Sequence, residues 1–168
     1  MISRFRQIIY YTIIERRRKI MDAIDRKILH KLQENARATL SDLSGEAALS
    51  IPAVSERLKK LEASGVIRQY TTILDPAMLN KHLMALMFLR FDSPKHGDRF
   101  SDFVRNEPEI KECYYITGDF DYSLKIVTEN TGTLEKLLTR IKDVPGVVKT
   151  QTIVILSTIT DRPSILPE

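Results

Sequence analysis

The spacing of apolar residues between positions 39 and 65 predicts two helices separated by a tight turn. The first covers residues 40–47, with Thr39 placed to cap it and Asp42 three residues further on, the spacing of a capping box. The second begins after Ser50, a favourable N-cap residue, and ends at Gly65, because glycine readily adopts the left-handed conformation that closes a helix. Its buried stripe consists of Ile51, Val54, Leu58 and Leu61.

Another helix is predicted over residues 22–35. Asp22 can cap it, and Asp25 favours its N-terminus through the helix dipole. Its apolar face consists of Ile24, Ile28, Leu29 and Leu32. Three short helices, the last two closely spaced, are typical of a helix-turn-helix domain. We therefore predict a trihelical, winged-type helix-turn-helix domain over residues 21–65.

The outward side of the last of these helices is small near its N-terminus and basic further along. Small side chains allow a helix to enter a major groove, and lysines can meet phosphates. An ordinary amphipathic helix with a solvated charged face has the same periodicity. The closely spaced pair of helices is what favours a DNA-binding function over this alternative. The candidate DNA-contacting residues are Ser50, Pro52, Ala53, Ser55, Glu56, Arg57, Lys59 and Lys60. Within this set we assign Ser55 and Glu56 to base edges and Arg57 to a base or a phosphate.

Beyond residue 65 the pattern predicts a second, mixed domain. Residues 66–80 are rich in strand-forming side chains and predict a strand-like linker. Residues 81–160 then alternate strands at 83–91, 110–117, 122–128 and 147–159 with helices at 97–106 and 133–142. This β-α-β-β-α-β order predicts a ferredoxin-like domain, so the fold class is α+β. The tail over 161–168 contains two prolines and is expected to fray.

The charge of the chain is unevenly distributed. Residues 1–20 hold six basic side chains and one acidic side chain, whereas the remainder holds 20 basic and 21 acidic side chains. DNA affinity must therefore come from a local patch presented by several copies of the chain. The single cysteine, Cys113, excludes a disulfide framework and a multi-cysteine metal site, and it fits a cytoplasmic location.

Residues 1–20 do not read as part of either domain. Their apolar run at 8–14 is too short to span a bilayer, and its basic flanks and missing cleavage site argue against a signal peptide. We expect Met21 to be the natural start and the preceding residues to be a non-native or disordered basic extension. A basic arm that touches DNA and a membrane-surface helix are the alternatives.

The stretch NARATLSDLSGEAALSIPAVSERLKKLEASGVIRQY, with TGDFDY at 117–122, resembles the Lrp/AsnC family of leucine-responsive, or feast/famine, transcriptional regulators. The resemblance covers about residues 21–158. It implies a sequence-specific DNA-binding regulator with two kinds of ligand, double-stranded DNA and an amino acid or related metabolite. It also implies a homodimer that assembles into octamers or similar particles.

The chain departs from the family pattern at two turns. Ala48 stands in the turn before the last helix of the first domain, where the family commonly has glycine, so that Gly45 could mark an earlier helix end. Asn80 stands near another usual glycine position, and asparagine tolerates the left-handed conformation. We expect both turns to survive, with a cost at Ala48.

Residues 118–121 predict a hairpin turn. On spacing alone this is a structural turn, although Asp119 and Asp121 could hold an ammonium group while loop amides hold a carboxylate. The resemblance favours the second interpretation, because in such proteins this loop binds amino-acid effectors at the contact between dimers. The candidate effector-binding residues it implies are Thr117, Gly118, Asp119, Asp121 and Tyr122, with Thr150 and Thr152 as weaker candidates.

Nothing in the sequence indicates an enzyme. The three histidines are dispersed, and there is no Gly-rich phosphate loop and no nucleophile with an evident base. We therefore expect no catalytic residue, no metal site and no cofactor. An RNA-binding protein and a metabolite-sensing subunit without DNA activity are the alternatives, although an aromatic RNP1-like run is missing.

Overall fold

The computed structural model describes residues 21–162, 164, 165 and 167, so the expectations for residues 1–20 lie outside the described part of the chain. The described residues form two compact units that divide between Thr72 and Ile73. Arg162 and Ser164 group with the first unit, where the Gln33 side-chain amide donates a hydrogen bond to Ser164 Oγ at 3.1 Å. In residues 21–162, no helix is long and apolar enough to cross a bilayer.

Three helices make up the N-terminal unit: α1 (Ala23–Glu34), α2 (Leu40–Ala47) and α3 (Ile51–Ala63). The predicted capping residues start the first two. Asp22 Oδ1 accepts a hydrogen bond from the amide of Asp25 at 2.9 Å, and Thr39 Oγ1 accepts one from the amide of Asp42 at 3.1 Å. The predicted trihelical arrangement is thus confirmed. Its core consists of Ile28, Leu43, Ala47, Val54 and Leu61.

The turn between α2 and α3 is left-handed at Ala48, with φ 52° and ψ 43°. The Ala48 amide donates to the Gly45 carbonyl at 3.4 Å, and the Leu49 amide donates to the Ser44 carbonyl at 3.2 Å, the pattern of a Schellman motif. Gly45 therefore lies inside α2, and the expectation of an earlier helix end there is wrong. Ser50 occupies the N-cap position of α3, but its side chain makes no capping hydrogen bond.

The prediction of a strand over residues 66–80 is wrong for the single chain. This range contains no strand, neither as a linker nor as a wing after α3. Val66 and Ile67 instead pack against the helical core. A strand needs a hydrogen-bonded neighbour, and residues 21–162 offer this segment none. A short 3-10 helix, Ala77–Leu79, ends at Asn80, whose φ of 57° confirms the expected left-handed turn.

The C-terminal unit contains β1 (Leu83–Phe91), α4 (Gly97–Arg105), β2 (Ile110–Tyr115), β3 (Tyr122–Thr128), α5 (Thr131–Lys142) and β4 (Val147–Ile155). The sheet is antiparallel in the order β2-β3-β1-β4, which confirms the predicted ferredoxin-like topology. The last strand ends earlier than predicted. The last helix begins two residues earlier than predicted, because Asn130 caps it.

The two faces of this sheet differ. Alternate residues of β1 are buried in a core with α4 and α5, the largest of them being Met87, Leu89 and Phe91. The residues between them point to the opposite face, here called the open face because neither α4 nor α5 lies on it. On that open face Leu86 lies opposite Ile153, which is 46% exposed. The open face is therefore partly apolar.

Candidate functional site

The candidate DNA-contacting residues share one side of α3. Pro52, Glu56, Lys59 and Lys60 are exposed, as is Ser50 at the N-cap. Ala53 and Ser55 are half-buried beside them. Glu56 and Lys60 form an exposed ion pair of 2.9 Å one helical turn apart, whereas Lys59 has no ion-pair partner among the residues that the structure describes. Two lysines on an exposed helix face suit contact with phosphates.

Arg57 differs from the rest of this set. Its Nη1 lies 2.8 Å from a carboxylate oxygen of Asp22 and 2.8 Å from one of Asp25. The hydrogen bond to Asp25 has the largest effect on the pKa of the guanidinium and raises it, and the hydrogen bond to Asp22 raises it further. Sequence reasoning assigned both aspartates to the start of α1 and missed the ion pair, because the partners are more than 30 residues apart.

The hairpin between β2 and β3 is held by three hydrogen bonds at Asp121. Its amide donates to the Leu89 carbonyl, and its own carbonyl accepts from the Ile116 amide, both at 2.8 Å. Its carboxylate accepts from the Phe91 amide, also at 2.8 Å. Asp121 was predicted to bind the effector, but one of its carboxylate oxygens accepts a hydrogen bond from the backbone of β1. The sequence did not reveal this bond.

Phe120 anchors the other side of the same hairpin and was not among the predicted residues. Its ring lies 5.7 Å from that of Phe88 on the open face, and the Lys149 ammonium lies 4.8 Å from its centroid. The residues before it remain exposed at the tip: Thr117, Gly118 and Asp119. Gly118 has φ 120°, a conformation that requires glycine.

Asp119 is the available carboxylate of the hairpin. It is exposed, and it makes no hydrogen bond or ion pair with the part of the chain that the structure describes. The geometry therefore divides the motif. Phe120 and Asp121 fix the loop against the sheet, whereas Gly118 and Asp119 are exposed.

Tyr122 begins β3 on the helix-covered side of the sheet. Its ring packs against Phe91, Phe100 and Tyr115, and burial raises the pKa of its phenol. A cavity of about 300 Å³ opens beside it, lined by Phe91, Ser93, Pro94, Gly97, Tyr115, Asp121 and Tyr122. A Cβ at Gly97 would lie 3.0 Å from the Tyr122 hydroxyl, so a larger residue there would crowd the cavity. Three of the seven lining residues are aromatic, and one is a carboxylate.

Thr150 and Thr152 lie apart from the hairpin within one chain. They are half-buried on β4, opposite Leu89 and Met87 of β1. Since β1 separates β4 from β3, Thr150 is two strand spacings, about 10 Å, from Tyr122. The structure thus brings the five hairpin candidates together and leaves the two threonines outside that group.

Comparison with known proteins assigns both units to described families. Residues 21–62 match the AsnC-type helix-turn-helix domain, and residues 84–165 match the Lrp/AsnC ligand binding domain. The chain is 38% identical to the HTH-type transcriptional regulator FL11 of Pyrococcus abyssi over 138 residues, which are 82% of this chain and 91% of that protein. It is 35% identical to the leucine-responsive regulatory protein of Escherichia coli K12, covering 82% of this chain and 86% of that one.

A solved structure gives the same assignment. The transcriptional regulator from Neisseria meningitidis in complex with L-Met superposes with a TM-score of 0.82 at 33% identity, covering 86% of this chain and 96% of that one. Sequence, domain order and three-dimensional fold therefore agree. The chain belongs to the Lrp/AsnC family of transcriptional regulators, with an N-terminal helix-turn-helix and a C-terminal ligand-binding domain.

Proposed function

We propose that this regulator binds double-stranded DNA through the exposed face of α3 and changes that binding when an amino acid occupies the hairpin tip. The observation that carries the proposal is the exposed Asp119 carboxylate next to the exposed Gly118, in a unit that matches the Lrp/AsnC ligand binding domain. The relatives named above are regulators, and we assign no catalytic step to the chain.

The DNA-contacting face consists of Ser50, Pro52, Ala53, Ser55, Glu56, Lys59 and Lys60. Its small N-terminal residues let the first turns of α3 approach base edges, and its lysines lie one to two turns further on, where phosphates flank the groove. A single helix of 13 residues buries little DNA surface, so one copy binds weakly. Two copies that read two half-sites supply the missing affinity.

The effector site combines the hairpin tip with the aromatic cavity. Asp119 attracts an α-ammonium group, and amides around Gly118 donate hydrogen bonds to an α-carboxylate. The cavity of about 300 Å³ has room for an apolar or aromatic side chain beside Tyr115 and Tyr122. The L-Met found with the Neisseria relative supports an amino acid as the ligand class.

The partner that completes the protein is a second copy of the chain. Exposed apolar side chains occur on the open face, including Ile153, and along residues 66–80, where Ile73 is 65% and Met78 is 81% exposed. Solvent-exposed apolar patches of this kind are typical of association surfaces. We propose a homodimer, assembling further into octamers or similar particles, in the cytoplasm where its DNA lies.

Calorimetric titration of the protein with each standard amino acid tests the effector half of this proposal. Wild-type protein should bind one or a few of them, and Asp119→Asn should abolish binding without unfolding the chain. Asp143→Asn, an exposed carboxylate at the end of α5, is the matched control and should bind as wild type does. Binding that survives Asp119→Asn would remove this residue from the site.

A further inference from the structure

Arg57 lies at the junction of two helices, and the hydrogen bonds around it account for all four oxygens of Asp22 and Asp25. One oxygen of each aspartate serves the capping box of α1: Asp22 Oδ1 accepts from the Asp25 amide at 2.9 Å, and Asp25 Oδ2 accepts from the Asp22 amide at 3.1 Å. The other oxygen of each accepts from Arg57 Nη1 at 2.8 Å. The same two side chains therefore start α1 and hold α3.

The burial of these groups makes the arrangement rigid. The Asp25 side chain is only 8% exposed and that of Arg57 29% exposed, whereas Asp22 is 52% exposed. A buried carboxylate needs its partner, since removing the partner leaves an uncompensated charge in a poorly solvated place. Arg57 is consequently fixed in direction as well as in charge.

The local charge does not favour a phosphate at this point. One guanidinium faces two carboxylates, which leaves a net negative charge. The adjoining cavity of about 360 Å³ adds Glu56 and Lys60, which neutralise each other. A phosphate next to Arg57 would therefore be repelled by the excess negative charge of the two carboxylates.

We infer that Arg57 is a positioning residue, which fixes the orientation of α3 relative to α1 and so places the DNA-contacting side chains, rather than a residue that touches DNA. This inference rests on the proposed DNA-contacting face of α3. The ion pair joins the start of α1 to the middle of α3, at the boundary between the buried stripe and the exposed lysines. Loss of the ion pair removes neither lysine from α3, but it allows α3 to change its angle relative to α1.

The test compares affinity for a duplex enriched from a random pool by the wild-type protein with affinity for a scrambled duplex, as a function of salt. The variants are Arg57→Met, Arg57→Lys, Asp25→Asn and the double variant Asp25→Asn/Arg57→Met. Asp42→Asn is the matched control, because Asp42 is also a capping-box acid at the third position of a helix but does not contact Arg57. Circular dichroism reports which variants are folded.

We expect Asp25→Asn and Arg57→Met each to lose at least about tenfold in affinity for the enriched duplex, with the scrambled duplex affected less than about twofold. The double variant should bind the enriched duplex at least as tightly as the single variant of lower affinity does. Arg57→Lys should lose less affinity than Arg57→Met. The salt slope should stay at the wild-type value, since no phosphate contact is lost. Asp42→Asn should bind as wild type does.

Two outcomes would overturn the inference. In one, Arg57→Met lowers the salt slope by about 0.9 per protomer, Arg57→Lys keeps the wild-type slope because it keeps the charge, and Asp25→Asn retains or gains affinity, which identifies Arg57 as a phosphate contact. In the other, Asp25→Asn and Arg57→Lys keep the wild-type preference for the enriched duplex, and the ion pair then has no role in recognition. A wild-type protein that binds both duplexes equally would instead refute the proposed DNA-binding function. If Arg57→Met does not fold, Asp25→Asn and Arg57→Lys decide between these outcomes.

Discussion

The left-handed backbone at Ala48 should make glycine a stabilising substitution there. The residue has φ 52° and ψ 43°, in a turn that closes α2 and leads into α3. Its side chain is exposed, so that Ala48→Gly creates no cavity. The two hydrogen bonds of the turn come from backbone amides and do not depend on the side chain.

The size of the effect follows from two opposing contributions. A residue with a Cβ in the left-handed region costs about 1–2 kcal/mol, which glycine relieves. Glycine also gains freedom in the unfolded chain, which costs about 0.4–1 kcal/mol. The net expectation is that Ala48→Gly raises the free energy of unfolding by about 0.8 kcal/mol, the centre of a range of about 0–1.6 kcal/mol. Asn80→Gly should gain less, because asparagine already tolerates the left-handed region.

Urea unfolding followed by circular dichroism measures this difference. Ala47→Gly is the matched control. Ala47 precedes Ala48 but is helical and buried, so glycine at position 47 should lower the free energy of unfolding by at least about 0.5–1 kcal/mol. The two substitutions are chemically identical and should have opposite signs. An Ala48→Gly variant that is destabilised like Ala47→Gly would refute the left-handed conformation at Ala48.

Three further predictions concern the two ligand sites and the start of α1. Lys59→Ala with Lys60→Ala should weaken binding to any duplex and flatten the salt slope by about 1.8 per protomer; an unchanged slope in a salt titration would show that this face does not meet phosphates. Asp119→Ala should keep its fold and basal DNA affinity but lose the response to amino acids in an anisotropy assay, whereas an intact response would exclude Asp119. The hydrogen bond from the Asp25 amide, and after it the one from Arg57, lowers the pKa of Asp22 from its ordinary value of 3.8. The ionised Asp22 side chain therefore stabilises the fold above pH 3.8, and this stabilisation is lost as the pH falls through the lower pKa of the folded state. Acid unfolding followed by circular dichroism should show this loss in wild type but not in Asp22→Asn, and equal profiles would contradict it.

Local signals were sufficient to predict most of the fold. The capping pairs Asp22 with Asp25 and Thr39 with Asp42 are three residues apart, and the strands and α-helices extend over six to thirteen residues. Such features are determined by neighbours in the chain, so they can be recognised from the sequence. The Lrp/AsnC resemblance was carried by the same local stretches.

Features that depend on distant partners could not be predicted. The sequence did not reveal the ion pairs of Arg57, because its partners Asp22 and Asp25 lie more than 30 residues earlier in the chain. It did not reveal the hydrogen bond that the Asp121 carboxylate accepts from the Phe91 amide for the same reason, since these residues are 30 positions apart. The strand predicted over residues 66–80 failed for a related reason, since strand propensity gives no information about whether a pairing neighbour exists.

The most direct test of the account is fluorescence anisotropy of the wild-type protein on an enriched duplex and on its scrambled counterpart, at two salt concentrations, with and without each amino acid. We expect selective binding at both salt concentrations and a change in affinity with at least one amino acid, which Asp119→Ala removes. Equal affinity for the two duplexes, or selective binding that no amino acid alters, would contradict the claim that this chain couples an effector to DNA recognition.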